Sequence, residues 1–284
     1  MYFEDDKPII KHLLIAAKNS ASYGLNLSVK NKKNKSHDIH ELRVITKKLR
    51  AYWLLVYPLL NNNEDFYSHK QSLRNAAKSL NFSREEFVNR KLIQSFFKTC
   101  RHKSHKRILN QLLVTMSNVN PPEKRDDGID LVRIFESEQQ LWRELNLTNL
   151  NIQQETGITS TLKKVKKLGK KSLQHNLDPE LSHQWRKWVK YAYYQLDVIP
   201  EKDRSKKLGR FIFNLEMLGK KLGKYHDLII LHQTISDRQA DEAFLCKIEF
   251  VLKIINKKTE KLSRSIHDIS NQLYESKYFL PTVI

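Results

Sequence analysis

Apolar positions recur along this 284-residue chain at intervals of three and four, which is the period of helices buried on one side. Ile9, Leu13, Ala16 and Ala17 mark a first helix over residues 8–30, and the polar, basic NKKNKS that follows suits a loop. Leu42, Ile45, Leu49, Trp53 and Val56 predict a second helix from about His37 to Tyr57. Pro58 and Asn61, Asn62 and Asn63 should end it, because proline cannot continue the ladder and asparagine competes for backbone hydrogen bonds. A third helix is expected over Asp65 to Leu80, and a long fourth over Arg84 to Met116. The second half predicts helices over Ile129–Leu145, Leu162–Leu173, Leu181–Val198, Arg204–Leu222 and Tyr225–Tyr274. Two prolines, a glycine and several charges fall within Ser117–Gly128, which reads as a link.

The polar positions carry a repeat. His40, Arg43 and Lys47 return at the same spacing as His183, Arg186 and Lys190, an offset of 143 in a chain about twice that long. Leu80, Asn81, Ser83, Arg84, Glu85, Phe87 and Val88 likewise align with Leu222, Gly223, Tyr225, His226, Asp227, Ile229 and Ile230 at an offset of 142. The expected architecture is therefore all-α: two pseudo-symmetric four-helix bundles from an internal duplication, enclosing a central basic groove or pore. Their bounds are residues 8–118 and 129–275, joined by 119–128 within one domain.

On a helix His40, Arg43, Lys47 and Arg50 fall within an arc of roughly 80°, with the apolar positions opposite. In the second copy Lys187 lies beside His183, Arg186 and Lys190, with Trp185, Trp188, Val189, Ala192 and Leu196 on the buried side, and Tyr193 stands where the first copy has Arg50. A cationic row on adjacent turns opposes helix formation by a few tenths of a kcal/mol per pair, and no acid is interleaved within the first arc to relieve it. Such a row suits an anion. From His40 to Arg50 it spans roughly 15 Å, enough for several consecutive phosphates.

Composition points the same way. Lys and Arg number 51 against 31 Asp and Glu, a formal charge of +20, and a polyanionic partner would offset the self-repulsion. Charge alone leaves nucleic acid, an anionic membrane surface and polyphosphate open. The two cysteines, Cys100 and Cys246, suggest neither a disulfide framework nor a zinc site. With no secretory pattern at the start and no apolar run of membrane length, a soluble, cytoplasmic protein is expected.

HELRVITKKLR, His40 to Arg50, resembles the signature of the CHAD family, the conserved histidine α-helical domain, whose usual form is close to HxxRVxxRRLR. HQWRKWVKYAYY, His183 to Tyr194, resembles its second signature, HxxRkxxKxxRY. LGKYHD, Leu222 to Asp227, and in weakened form LNFSRE, Leu80 to Glu85, resemble its LGxxxD helix junction. The resemblance spans about Pro8 to Tyr274. It implies two pseudo-symmetric bundles around a basic groove or pore, inorganic polyphosphate as the ligand, and binding without turnover, so no cofactor. The site it implies comprises His40, Arg43, Lys47, Lys48, Arg50, Arg84, His183, Arg186, Lys187, Lys190 and Lys224. Association with polyphosphate granules would follow. Lys47 and Lys48 replace the family's double arginine, Tyr193 an arginine, and Asn81 and Glu85 the first-half glycine and aspartate. Lysine keeps the charge but loses the bidentate grip.

Other signals are weaker. Arg84, Lys91, Lys98 and His105 lie seven apart with Arg101 between, a candidate secondary basic lining. Thr161–Gln174 holds six lysines around a narrow apolar stripe and reads as a peripheral basic helix. The dipeptides His37-Asp38, His226-Asp227 and His267-Asp268 lack the further ligands a metal hydrolase needs. Glu136-Ser137-Glu138 is not followed by the lysine of a triphosphate-tunnel motif. The alternatives to polyphosphate binding are a protein that grips the nucleic-acid backbone and, further off, a polyphosphate-active enzyme. Trp53, Trp185 and Trp188 lie opposite the stripe, away from where bases would stack.

Overall fold

The computed structural model describes residues 6–30, 36–57, 63–80, 84–117, 129–145, 155–237 and 242–276. The expected link 119–128 lies outside them. The described residues form ten α-helices and no strand: α1 (Asp6–Lys30), α2 (Ser36–Val56), α3 (Asn63–Ser79), α4 (Arg84–Thr99), α5 (Lys103–Ser117), α6 (Leu131–Glu144), α7 (Glu155–Gln174), α8 (Pro179–Asp197), α9 (Lys206–Ser236) and α10 (Glu242–Tyr274).

Four boundaries differ from the periodicity. Arg84 to Met116 is two helices, because the ladder stops at Cys100 and restarts at Lys103, so the heptad row from Arg84 to His105 does not run along one face. Conversely, Leu222 to Asp227 is no junction: α9 runs unbroken through it to Ser236. α7 begins at Glu155, and its Ile158, Leu162 and Val165 are buried along α8, so the lysine-rich segment belongs to a core helix. Asn63, expected in a helix break, opens α3.

The hydrophobic core does not divide at the chain's midpoint. One cluster joins Leu13, Leu42 and Leu49 of α1 and α2 to Val165 of α7, Trp185 and Val189 of α8, and Leu215 of α9. A second joins Ile93 and Phe96 of α4 and Leu109 and Leu112 of α5 to Leu231 and Ile235 at the end of α9, and Ile248 and Val251 of α10. Each cluster thus takes helices from before and after residues 119–128. Within the larger one α2 and α8 pack directly, and the buried Gln195 amide donates to the Ala51 carbonyl at 2.9 Å.

Local chemistry fixes the start of α8. Asp178 caps it by accepting from the Leu181 amide at 2.9 Å, and Pro179 fills the first turn, where no backbone donor is needed. The tight turn from α7 places Asn176 and Leu177 at φ of 50° and 58°. Leu177 is held in that left-handed conformation by burial and by the Tyr225 hydroxyl of α9, which donates to its carbonyl at 3.1 Å. On α6 the buried Glu138 carboxylate accepts from the indoles of Trp53 at 2.8 Å and Trp142 at 3.0 Å, tying α6 to α2.

Candidate functional site

The amphipathic reading of α2 and α8 decides what each helix buries. Leu42, Ile45, Leu49, Trp53 and Val56 are all buried, as are Trp185, Val189, Ala192 and Leu196, while Trp188 packs partly buried at the core's edge. The polar faces that remain converge with α3, α4 and α9 on a cleft of about 350 Å³. Arg43, Lys47 and Arg50 enter from α2, Arg74 and Lys78 from α3, and His183, Arg186, Lys187 and Lys190 from α8; α9 adds His226 and Asp227. Among the described residues, Asp227 is the one carboxylate in this lining.

Both copies of the repeat reach the same cleft: Arg43 with Arg186, Lys47 with Lys190, and Val88 with Ile230. The arginines are anchored differently. Arg43 is buried, and its Nη1 donates at 2.9 Å to the Leu80 carbonyl, exposed where α3 ends. Arg186 instead lies against unbroken α9, where Gly223 leaves room for the guanidinium.

Aromatic rings support the lysines. Tyr191 lies between Arg50 and Lys187, each 5.9 Å from its ring, and Lys190 lies between Tyr193 and Tyr194 at 5.6 and 5.9 Å. Tyr191 and Tyr194 are themselves buried, so neither presents a free face. The His183 and His226 rings meet at 4.6 Å between centroids.

Crowding of like charges in a concave wall shows in the titration of α8. The lysines are pushed below their ordinary range, chiefly by partial desolvation: Lys187 also by Arg50, Arg74, Lys70 and Lys164, and Lys190 also by Arg186. His183 is likewise held low, first by desolvation and then by Arg186, with Lys187 and Lys47 adding to it and Glu180 opposing. His183 and Lys187 keep solvent contact at the mouth, so the protein packed around them, rather than full burial, lowers these groups. A bound anion would remove the repulsion.

Several expected residues lie elsewhere. His40 is exposed one turn before Arg43 and, like Lys48, is not part of the cleft lining. Lys91, Lys98 and Arg101 are exposed outside it, and His105, beyond the break between α4 and α5, stacks on Phe250 with centroids 4.0 Å apart. Lys224 lines a second groove, described below, and Arg84 opens α4 with its side chain outside the described residues.

Arg74, Lys78 and His226 escaped the sequence reading of the site. Lys70, Arg74 and Lys78, at spacings of four along α3, carried the missing signal, because that spacing keeps them on one helix face. Among the described residues no group of three or more His, Cys, Asp or Glu could hold a metal ion. No helix among them is long and apolar enough to cross a membrane.

No curated protein matches this chain. The CHAD domain family model matches residues 27–236, from the last turn of α1 to the end of α9, and so takes in every residue that lines the cleft. By that match, over more than half its length, the chain belongs to the CHAD domain family.

Proposed function

We propose that this protein binds inorganic polyphosphate in the cleft between α2, α3, α8 and α9 and does not turn it over. The two signature helices act as a pseudo-symmetric pair, the two halves of one central basic groove. One observation carries the reading: Arg43, Lys47, Arg50, Arg74, Lys78, Arg186, Lys187 and Lys190 face one concave space in which, among the described residues, Asp227 is the one carboxylate. Folding gathers these charges at an electrostatic penalty that an extended polyanion repays along its length. Arginines add forked donors, and His183 a group that charges when an anion arrives.

Nucleic acid offers the same phosphates, but stacking needs free aromatic faces, and the tyrosines here are buried or covered by lysine. With that ligand we propose a cytoplasmic location, in association with polyphosphate granules. Co-localisation of a tagged chain with stained granules checks that part.

The test of binding is titration with long-chain polyphosphate against sulfate at matched ionic strength. Arg50→Glu with Lys187→Glu is the suitable variant pair, since both residues line the cleft and neither is buried as Arg43 is. Polyphosphate binding no tighter than sulfate, or unchanged in the double variant, would sink the proposal. RNA that polyphosphate fails to displace would favour the nucleic-acid reading, and phosphate release in the presence of Mg²⁺ would make the protein an enzyme.

A further inference from the structure

A second concave region adjoins the cleft across α9. It is a groove of about 540 Å³ between α4, α9 and α10, lined by five cations: Lys221 and Lys224 from α9, and Lys258, Lys261 and Arg264 from α10. Among the described residues its carboxylates are Asp227 and Asp268. Helical phase relates the two regions. At 100° per residue, His226 and Ile230 fall on the arc of α9 that faces the cleft, together with Gly219 and Gly223 beneath Lys190 and Arg186. Lys221, Lys224 and Leu228 occupy the adjoining arc, and Asp227 stands on the boundary, lining both spaces. The cleft and the groove therefore lie against neighbouring arcs of one helix, the cleft's cations standing across from α9 on α2, α3 and α8 and the groove's on α9 and α10.

The groove floor is apolar, with Leu92 and Leu262 half-buried beside the more deeply set Phe96 and Leu228. Phe96 and Leu228 are 2% and 4% exposed, and the Lys258 ammonium sits 5.4 Å from the centre of the Phe96 ring. What faces outward is the row of cations: Lys224, Lys258, Lys261 and Arg264 are all exposed. The floor leaves apolar surface at Leu92 and Leu262, and above it a chain of phosphates would find cations on both walls. The family match ends at Ser236, so the α10 wall lies beyond the matched residues.

We infer that this groove is a second phosphate subsite, taking the part of a polyphosphate chain that extends past the cleft over Asp227. The inference rests on the cleft reading and adds to it the source of chain-length preference. A short chain occupies the cleft alone; a long one spans both walls, and its second part binds at the high effective concentration that tethering confers.

The experiment compares tripolyphosphate with long-chain polyphosphate on the whole protein and on Lys258→Glu with Lys261→Glu, both exposed positions on α10. The variant is expected to lose roughly tenfold in affinity for the long chain and to show a shallower salt dependence, with tripolyphosphate binding unchanged. Lys221→Glu with Lys224→Glu, on the opposite wall, should give the same pattern and covers the case in which the α10 variant does not fold. Equal losses for both chain lengths would show that the groove acts only through the overall field, and unchanged long-chain binding would show that it is not a subsite; either overturns the inference. Loss of binding to phosphatidylinositol phosphate vesicles with long-chain affinity intact would overturn it in favour of a lipid surface. A wild-type protein that binds neither chain better than sulfate removes the cleft reading itself, a result distinct from all of these.

Discussion

The guanidinium of Arg186 lies so close to Gly223 that a Cβ there would come within 3.2 Å of its Nε and 3.3 Å of an Nη. One turn earlier on α9, a Cβ on Gly219 would come within 3.1 Å of the Lys190 side chain. Two glycines one turn apart thus seat two cations one turn apart, and the basic wall of α8 is set against bare backbone. In the first copy the position of Leu222-Gly223 is held by Leu80-Asn81, where the helix ends and the freed Leu80 carbonyl receives Arg43. The repeated arginines meet equivalent places by two devices, a glycine and a helix terminus.

Gly223→Ala separates these roles. Alanine in a helix interior is favoured over glycine by about 1 kcal/mol, and the atoms in its way are the end of a flexible side chain. The variant should fold with unchanged or raised thermal stability and bind polyphosphate more weakly, because Arg186 must move. Thermal unfolding and titration measure the two effects, and weaker binding with an equally lowered melting temperature would assign Gly223 to the fold alone.

Lys190→Met should stabilise the free protein and weaken its complex. Desolvation and Arg186 hold the Lys190 pKa below its ordinary range in the folded state, so at neutral pH folding carries the penalty of a charged ammonium that the unfolded chain solvates freely. As pH rises through the depressed folded pKa towards the unfolded value, the folded lysine loses its proton first and the penalty disappears. The stability advantage of the variant should therefore be present at pH 7 and shrink in alkali. A melting temperature below wild type at pH 7 contradicts this account.

The cationic arcs of α2 and α8 were legible in the sequence because period and charge coincide there: each helix buries one apolar face, and the residues opposite are nearly all basic. What pattern could not show was depth. Arg43 and His40 share an arc, yet one is buried on the Leu80 carbonyl at the end of α3 and the other is exposed. The glycine of LGKYHD resembled a helix end, and only packing shows why α9 continues: Gly223 serves the close approach of Arg186, not a turn. Arg74 was missed because α3 has no copy of the signature, although its four-residue basic spacing was visible. The composition of the cores was hidden for another reason, since contacts between α2 and α8 or between α4 and α9 depend on which faces meet across a long separation.

Acidification should tighten polyphosphate binding through His183. Desolvation and Arg186, together with Lys187 and Lys47, hold its pKa below the usual histidine value, so the ring is neutral at pH 7 in the free protein. Polyphosphate favours the charged ring, and binding then takes up a proton. Affinity should rise as pH falls from 7 to about 5.5, and His183→Gln should flatten the profile. The free protein moves the other way: a histidine with a depressed folded pKa costs stability once pH drops below the unfolded value. Titration across that range in both proteins tests the coupling, and equal pH dependence in the two assigns it elsewhere.

Glu138 offers a test of how the cleft is braced from behind. Its buried carboxylate accepts from Trp53 on α2 and Trp142 on α6, and the Nδ1 of His69 on α3 stands 3.4 Å from its other oxygen. Trp53 and His69 stack with ring centroids 5.8 Å apart, so one carboxylate fixes the two helices that carry Arg50 and Arg74 into the cleft. Glu138→Leu leaves two indole N–H groups without their acceptor in the core, which should cost about 3 kcal/mol, whereas Glu138→Gln keeps an oxygen in place and should cost less. Urea unfolding followed by tryptophan fluorescence measures both. If α2 and α3 depend on this brace for their relative position, Glu138→Leu also weakens polyphosphate binding under conditions where it remains folded, although residue 138 lies outside the cleft lining. Unchanged affinity in the folded variant would show that the core cluster around α2 and α8 holds the cationic walls in register without it.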